Sequence, residues 1–154
     1  MSLYRSKELI LQELKSSDMN TRRLGSDEVR DMLEFNEISK EDANEYAQNI
    51  VLALQKKNSK NVQYWLISNL ATLCEDFQGL DFDKTIVLNI LKTANDEGTL
   101  GNILVILKNS RDKQYLPIIQ KFKEFRNKDI QSFAIEAEIF LTENTREKDE
   151  TASL

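Results

Sequence analysis

Apolar residues recur along the chain at helical spacing, three and four residues apart, so that one face of each segment is apolar. Ala43, Ala47, Ile50 and Leu54 form one stripe, and Val62, Leu66, Leu70 and Leu73 form the next. Val87, Ile90, Leu91 and Ala94 make a third, Ile118, Phe122 and Phe125 a fourth, and Ile130, Ala134, Ala137 and Leu141 a fifth. No segment of useful length alternates with the period of two that a half-buried strand requires. The pattern predicts eight helices, over 5–15, 20–35, 41–57, 61–75, 82–95, 99–109, 115–126 and 129–143.

The breaks between stripes are short and carry local signals. Ser39 stands ahead of Glu41 and Asp42, a capping hydroxyl followed by carboxylates suited to the positive end of a helix. Gly79 and Gly98 follow helical stripes, where a left-handed residue can close a C-terminus. Pro117 sits where a first helical turn needs no N–H. Residues 144–154 have no apolar stripe and are expected to fray as an acidic tail behind a single domain of residues 1–143.

Eight helices joined by short links can form a globular bundle or a stack of hairpins, and an internal repeat distinguishes the two. Every second helix opens on a similar phrase: Asn20-Thr-Arg-Arg-Leu-Gly25, Asn61-Val-Gln-Tyr-Trp-Leu66, Thr99-Leu-Gly-Asn-Ile-Leu104 and Asp129-Ile-Gln-Ser-Phe-Ala134. Each starts on a residue that can cap a helix. Trp65 and Phe133 fall at equivalent places and are expected to face the core. Helix 99–109 is apolar nearly all round, as an interior helix flanked on both sides would be. The first repeat, with Arg5, Lys7, Glu8, Arg22, Arg23 and Asp27, reads as a polar cap.

Over residues 5–143 these phrases resemble the HEAT-like repeat family, including its short bacterial versions. That family's second helix opens with Asp, Val, Arg and Ala at spaced positions. Asp129, Ile130, Ala134 and Ala137 match it best, and the family arginine survives only as Arg22. The expected fold is all-α: a right-handed stack of about four antiparallel helical hairpins, a HEAT-like α-solenoid.

Composition then narrows the chemistry. The chain has no His and a single cysteine, Cys74. That excludes His-based triads, Cys/His zinc sites and intrachain disulfides, and leaves Cys74 without the imidazole base that a catalytic thiol usually needs. A buried small hydrophobe in a reducing, cytoplasmic setting is its expected role. Paired carboxylates such as Glu136 and Glu138 lack the Glu-x-x-His partners of a di-metal bundle and read as solvated helix faces. Gly98-Thr-Leu-Gly101 is not followed by Lys-Ser/Thr, so it is no phosphate loop. No window approaches the apolar length of a membrane span. Met1–Leu14 contains Lys7 and Glu8, unlike a secretory signal. No catalytic residue, metal or cofactor is expected.

Charge is the most informative feature. The net charge is −5, the wrong sign for the basic face of a nucleic-acid binder. It is unevenly spread: residues 27–45 carry −6 and 75–98 carry −4, whereas 46–74 carry +3 and 108–128 carry +5. In a hairpin stack Glu34, Glu37, Glu41 and Asp42 would lie at one between-hairpin loop, and Glu75, Asp76, Asp81 and Asp83 at the next. Lys56, Lys57, Lys60, Arg126 and Lys128 would lie at within-hairpin loops. Helix-dipole preference accounts for part of this, but not for two acidic clusters on successive turns of one edge. A second candidate is a row along the inner helices formed by Arg22, Arg23, Gln63 and Tyr64. The function expected is a non-enzymatic protein-binding module for a basic protein partner, with a small acidic immunity or inhibitor protein against a basic toxin or nuclease as its specific case. The alternatives are HEAT-like nucleic-acid binding or DNA repair, and a lyase- or chaperone-like role.

Overall fold

The computed structural model describes residues 6–35 and 38–152, with side chains through Glu143. Its described residues are all-helical, with eight α-helices and no strand. These are α1 (Lys7–Leu14), α2 (Met19–Leu33), α3 (Lys40–Gln55), α4 (Lys60–Asp76), α5 (Thr85–Thr93), α6 (Glu97–Asn109), α7 (Leu116–Lys121) and α8 (Lys128–Ala152). Each predicted helix has a counterpart. The segment 115–126 is broken, however: α7 is flanked by single 3₁₀ turns at Lys113–Tyr115 and Phe122–Glu124. Pro117 lies in the first turn of α7. The backbone of α8 continues to Ala152, across the segment where the sequence suggests a frayed tail. A helix already nucleated by the packed stripe Ile130–Leu141 needs no apolar face to add further backbone hydrogen bonds.

The caps correct the boundaries read from the repeat phrases. The N-terminal turns of α2, α4, α6 and α8 are closed by Asp18, Ser59, Asp96 and Asn127, not by Asn20, Asn61, Thr99 and Asp129. Each cap accepts the backbone N–H three residues on, so the cap must stand ahead of the first helical residue. Gly79 adopts φ +67°, as a helix-closing glycine should, and its N–H donates to Asn109 O at 3.0 Å. Gly98 has another reason to be glycine. It lies inside the first turn of α6, where a Cβ would come within 2.6 Å of Tyr64 Cε2.

Helices α2, α4, α6 and α8 pack on one another in succession, and α1, α3 and α5 do the same. Each odd-numbered helix also packs against the even-numbered helix that follows it. One continuous core results, running from Ile10 and Val29 through Leu66, Leu70 and Leu73 to Ile103, Leu104 and Ala137, all at 0% exposure. Helices α4 and α6 are apolar on more than one side and have packed neighbours on more than one side.

Two expectations about side-chain direction are corrected. Phe133 is 40% exposed. The small stripe residues Ala134 and Ala137 face the core on α8, leaving the Phe133 ring at the rim, where its Cε2 lies 3.4 Å from the place a Cβ on Gly101 would take. Trp65 is half-buried and covered by arginines rather than by core residues. Arg22, in turn, is only 2% exposed. Its guanidinium donates to Ser16 O at 2.9 Å, to Lys57 O at 2.6 Å and to Asn58 Oδ1 at 2.8 and 3.2 Å. It joins the α1–α2 turn to the α3–α4 turn, and is removed from any surface row.

Arg22→Leu strands those acceptors and should cost about 3 kcal/mol or more. Arg22→Lys should recover only part, because one ammonium cannot span all three groups. Phe133→Ala should cost about 1–2 kcal/mol, since half its surface is already wet, against about 2–5 kcal/mol for Ile103→Ala. Urea midpoints of the four variants check this order.

Candidate protein-binding surfaces

The last residue of α2, Leu33, and the end of α4 line one hollow together with Ile38, which precedes α3, and the loop before α5 is bonded to α3. Glu34 is the exposed C-cap residue of α2. Glu41 and Asp42 occupy the first turn of α3, capped by Ser39. Glu75 and Asp76 end α4 and are exposed. Asp81 and Asp83 lie in the loop before α5, also exposed. That loop is tied to α3: the Asp81 N–H donates to Asn44 Oδ1 at 2.9 Å, and Gln48 Nε2 donates to Asp81 O at 3.0 Å. Glu37 lies outside the described residues.

These carboxylates are not equivalent. Asp42 and Glu45 share Lys7 of α1, at 2.9 and 2.7 Å. Hydrogen bonds from Lys7 to Glu45 and Asp42 hold its ammonium well above the usual lysine range. Asp83 Oδ1 accepts the Thr85 N–H at 3.0 Å and so serves the start of α5. Glu75 and Asp76 instead border an open hollow of about 550 Å³ whose other lining side chains, among the described residues, are Leu33, Ile38 and Phe77. Phe35, 62% exposed, stands two residues beyond Leu33. Sequence reasoning passed over this aromatic because it belongs to no stripe, and an aromatic standing outside every stripe was the available signal.

Of the second predicted row, Arg22, Arg23, Gln63 and Tyr64, the first member is not at the surface. Arg22 is buried in the turns described above. Gln63 lines a separate polar hollow with Lys60, Asn95, Asp96 and Thr99. Tyr64 packs edge-on against Trp65, with ring centroids 5.3 Å apart, and lies against Gly98. Only Arg23 remains on the α2–α4 face, with its guanidinium carbon 4.9 Å from the Trp65 ring centre.

Cys74 is 4% exposed at the inner side of α4, and burial pushes its thiol up to about 12. Among the described residues, no group of three Cys, Asp or Glu side chains is placed to hold a metal ion, and no helix is long and apolar enough to cross a membrane.

The raised Cys74 pKa has a signed consequence. Its stability contribution is complete below about pH 9, where folded and unfolded chains both hold the proton. It falls as the unfolded thiol ionises, and is fully lost only as pH passes about 12. Wild type should therefore lose stability relative to Cys74→Ala between about pH 8 and pH 10. Urea denaturation of both proteins at the two pH values measures it, and native Cys74 should resist a thiol reagent that modifies it at once in urea. Comparison with protein-family models, curated proteins and solved structures returns no match.

Proposed function

We propose that this chain is a non-enzymatic protein-binding module, built as a right-handed stack of four antiparallel helical hairpins, that presents its acidic end to a basic protein partner. Its specific case is a small immunity or inhibitor protein neutralising a basic toxin or nuclease. One observation carries the reading. Glu34, Glu75 and Asp76 stand at helix C-termini, where the macrodipole is negative and a carboxylate is locally unfavourable. Glu41, Asp42 and Asp83 gain from helix N-termini and need no further reason. The first three do not, so their placement is supported by something outside the helix.

The surroundings suit a protein partner. Glu75 and Asp76 border a hollow that Leu33, Ile38 and Phe77 also line, and Phe35 is exposed two residues beyond Leu33. Apolar contact ringed by charge is the pattern that concentrates binding energy at interfaces. Complementary charge at the rim chiefly raises the association rate and suppresses wrong partners.

Local stability and binding should then pull apart. Glu75→Lys with Asp76→Lys should raise thermal stability slightly, by a few tenths of a kcal/mol per site, while weakening capture of the partner. Immobilised wild type and double variant, exposed to the same native extract at low salt and read by mass spectrometry, make the test. The expected result is a basic protein retained by wild type and lost from the variant. Equal retention by both would leave the acidic end an ordinary solvated surface.

A further inference from the structure

Where α2 meets α4 there is a second construction, separate from the acidic end. Arg23, Asp27 and Arg30 follow one another at four- and three-residue spacing along α2. Their guanidiniums both cover the single tryptophan of the chain: Arg23 lies 4.9 Å and Arg30 5.6 Å from the Trp65 ring centre. Asp27 stands between them, its Oδ2 at 3.6 Å from Arg23 Nε and its Oδ1 at 4.0 Å from Arg30 Nη1. Asp27 is itself held from beneath. Asn69, 0% exposed, donates to Asp27 Oδ1 and to Ser26 Oγ, both at 2.8 Å, and accepts from Arg30 Nη1 at 3.4 Å.

We infer that this Trp65 face is a preformed binding surface for an acidic peptide segment. The indole already carries two cations of its own, so it offers no aromatic face to an incoming lysine or arginine, which the guanidiniums would also repel. Their donor edges point to the opposite chemistry. A guanidinium stacked on a ring keeps its N–H groups in its own plane, available to a carboxylate in bidentate geometry. Among the described residues, neither Nη atom of Arg23 has a hydrogen-bond partner, and Arg23 is one-third exposed.

The two ends of the cluster differ in what they leave open. Asp27 stands between the two arginines, and Asp31, 52% exposed, approaches only Arg30, at 3.6 Å, so two guanidiniums are matched by two carboxylates. The unengaged Nη donors sit at the Arg23 end. That end faces the first turns of α2 and α4, whose dipoles are positive, and residues 46–74 carry net +3. The guanidiniums are ordered before any ligand arrives, which removes much of the entropy cost of binding. This surface does not depend on the acidic end, so a partner of the second could bind without the first.

Trp65 fluorescence reads the site directly. The full chain is titrated at low salt with a dodecapeptide rich in Asp and Glu, with its Lys counterpart and with inorganic phosphate. A saturable change is expected with the acidic peptide alone. Arg23→Gln and Arg30→Gln should each weaken it about tenfold, and Arg23→Lys should restore little because the planar fork is lost. Circular dichroism establishes that each variant is folded, and Glu75→Gln with Asp76→Gln should leave the affinity within about twofold, which excludes a net-charge effect. Absence of any saturable change, an equal response to the Lys peptide or to phosphate, or unchanged affinity in folded Arg23→Gln and Arg30→Gln would overturn the proposal.

Discussion

The structure depends on the burial of α4 between α2 and α6. Leu66, Ile67, Leu70 and Leu73 are completely enclosed, and Val62, Ala71 and Cys74 nearly so. A helix apolar on several sides cannot be satisfied by one hairpin partner, so neighbours are required on both flanks. Once α4 is fixed, the direction of α2 and α6 follows from the short connections.

Polar groups inside the joints make that packing specific. Arg22 and Asn58 bind the α1–α2 and α3–α4 turns together. Asn69 crosses from α4 to Ser26 and Asp27. Asn109 closes the end of α6 against the loop after α4, accepting from Gln78 Nε2 at 2.6 Å and, through its carbonyl, from the Gly79 N–H. Each would be costly if unpaired, so each penalises a slipped register more than an apolar contact would. The last joint uses shape instead, with the Phe133 ring over Gly101.

This frame also separates two kinds of surface charge. Carboxylates at Asp18, Asp96 and the α3 start serve helix ends and are explained by local hydrogen bonds and dipoles. Glu75 and Asp76 run against the dipole, and Arg23 and Arg30 lie on an indole, Arg30 bonded to the buried Asn69 amide and Arg23 paired with Asp27, which that amide also holds. Sites of that kind, where local preference and observed placement part, are where function is best sought.

Helix number and order were legible in the sequence because apolar spacing reports directly which face of each helix leaves water. That Glu75 and Asp76 fall at the end of α4 was legible for a related reason: the apolar stripe stops just before them. Side-chain direction beyond the stripe was not. Arg22 reads as a surface cation, yet its three acceptors come from turns whose approach depends on how the helices pack. Trp65 and Phe133 share a repeat position but not an environment, because one meets a neighbouring helix bearing arginines and the other a glycine. Gly98 reads as a helix stop, and only the approach of Tyr64 shows why no larger residue fits. Periodicity is a property of one helix, and the sequence carries it whole. Which neighbour lies beyond the rim of that helix is a property of two, and tertiary packing alone decides it.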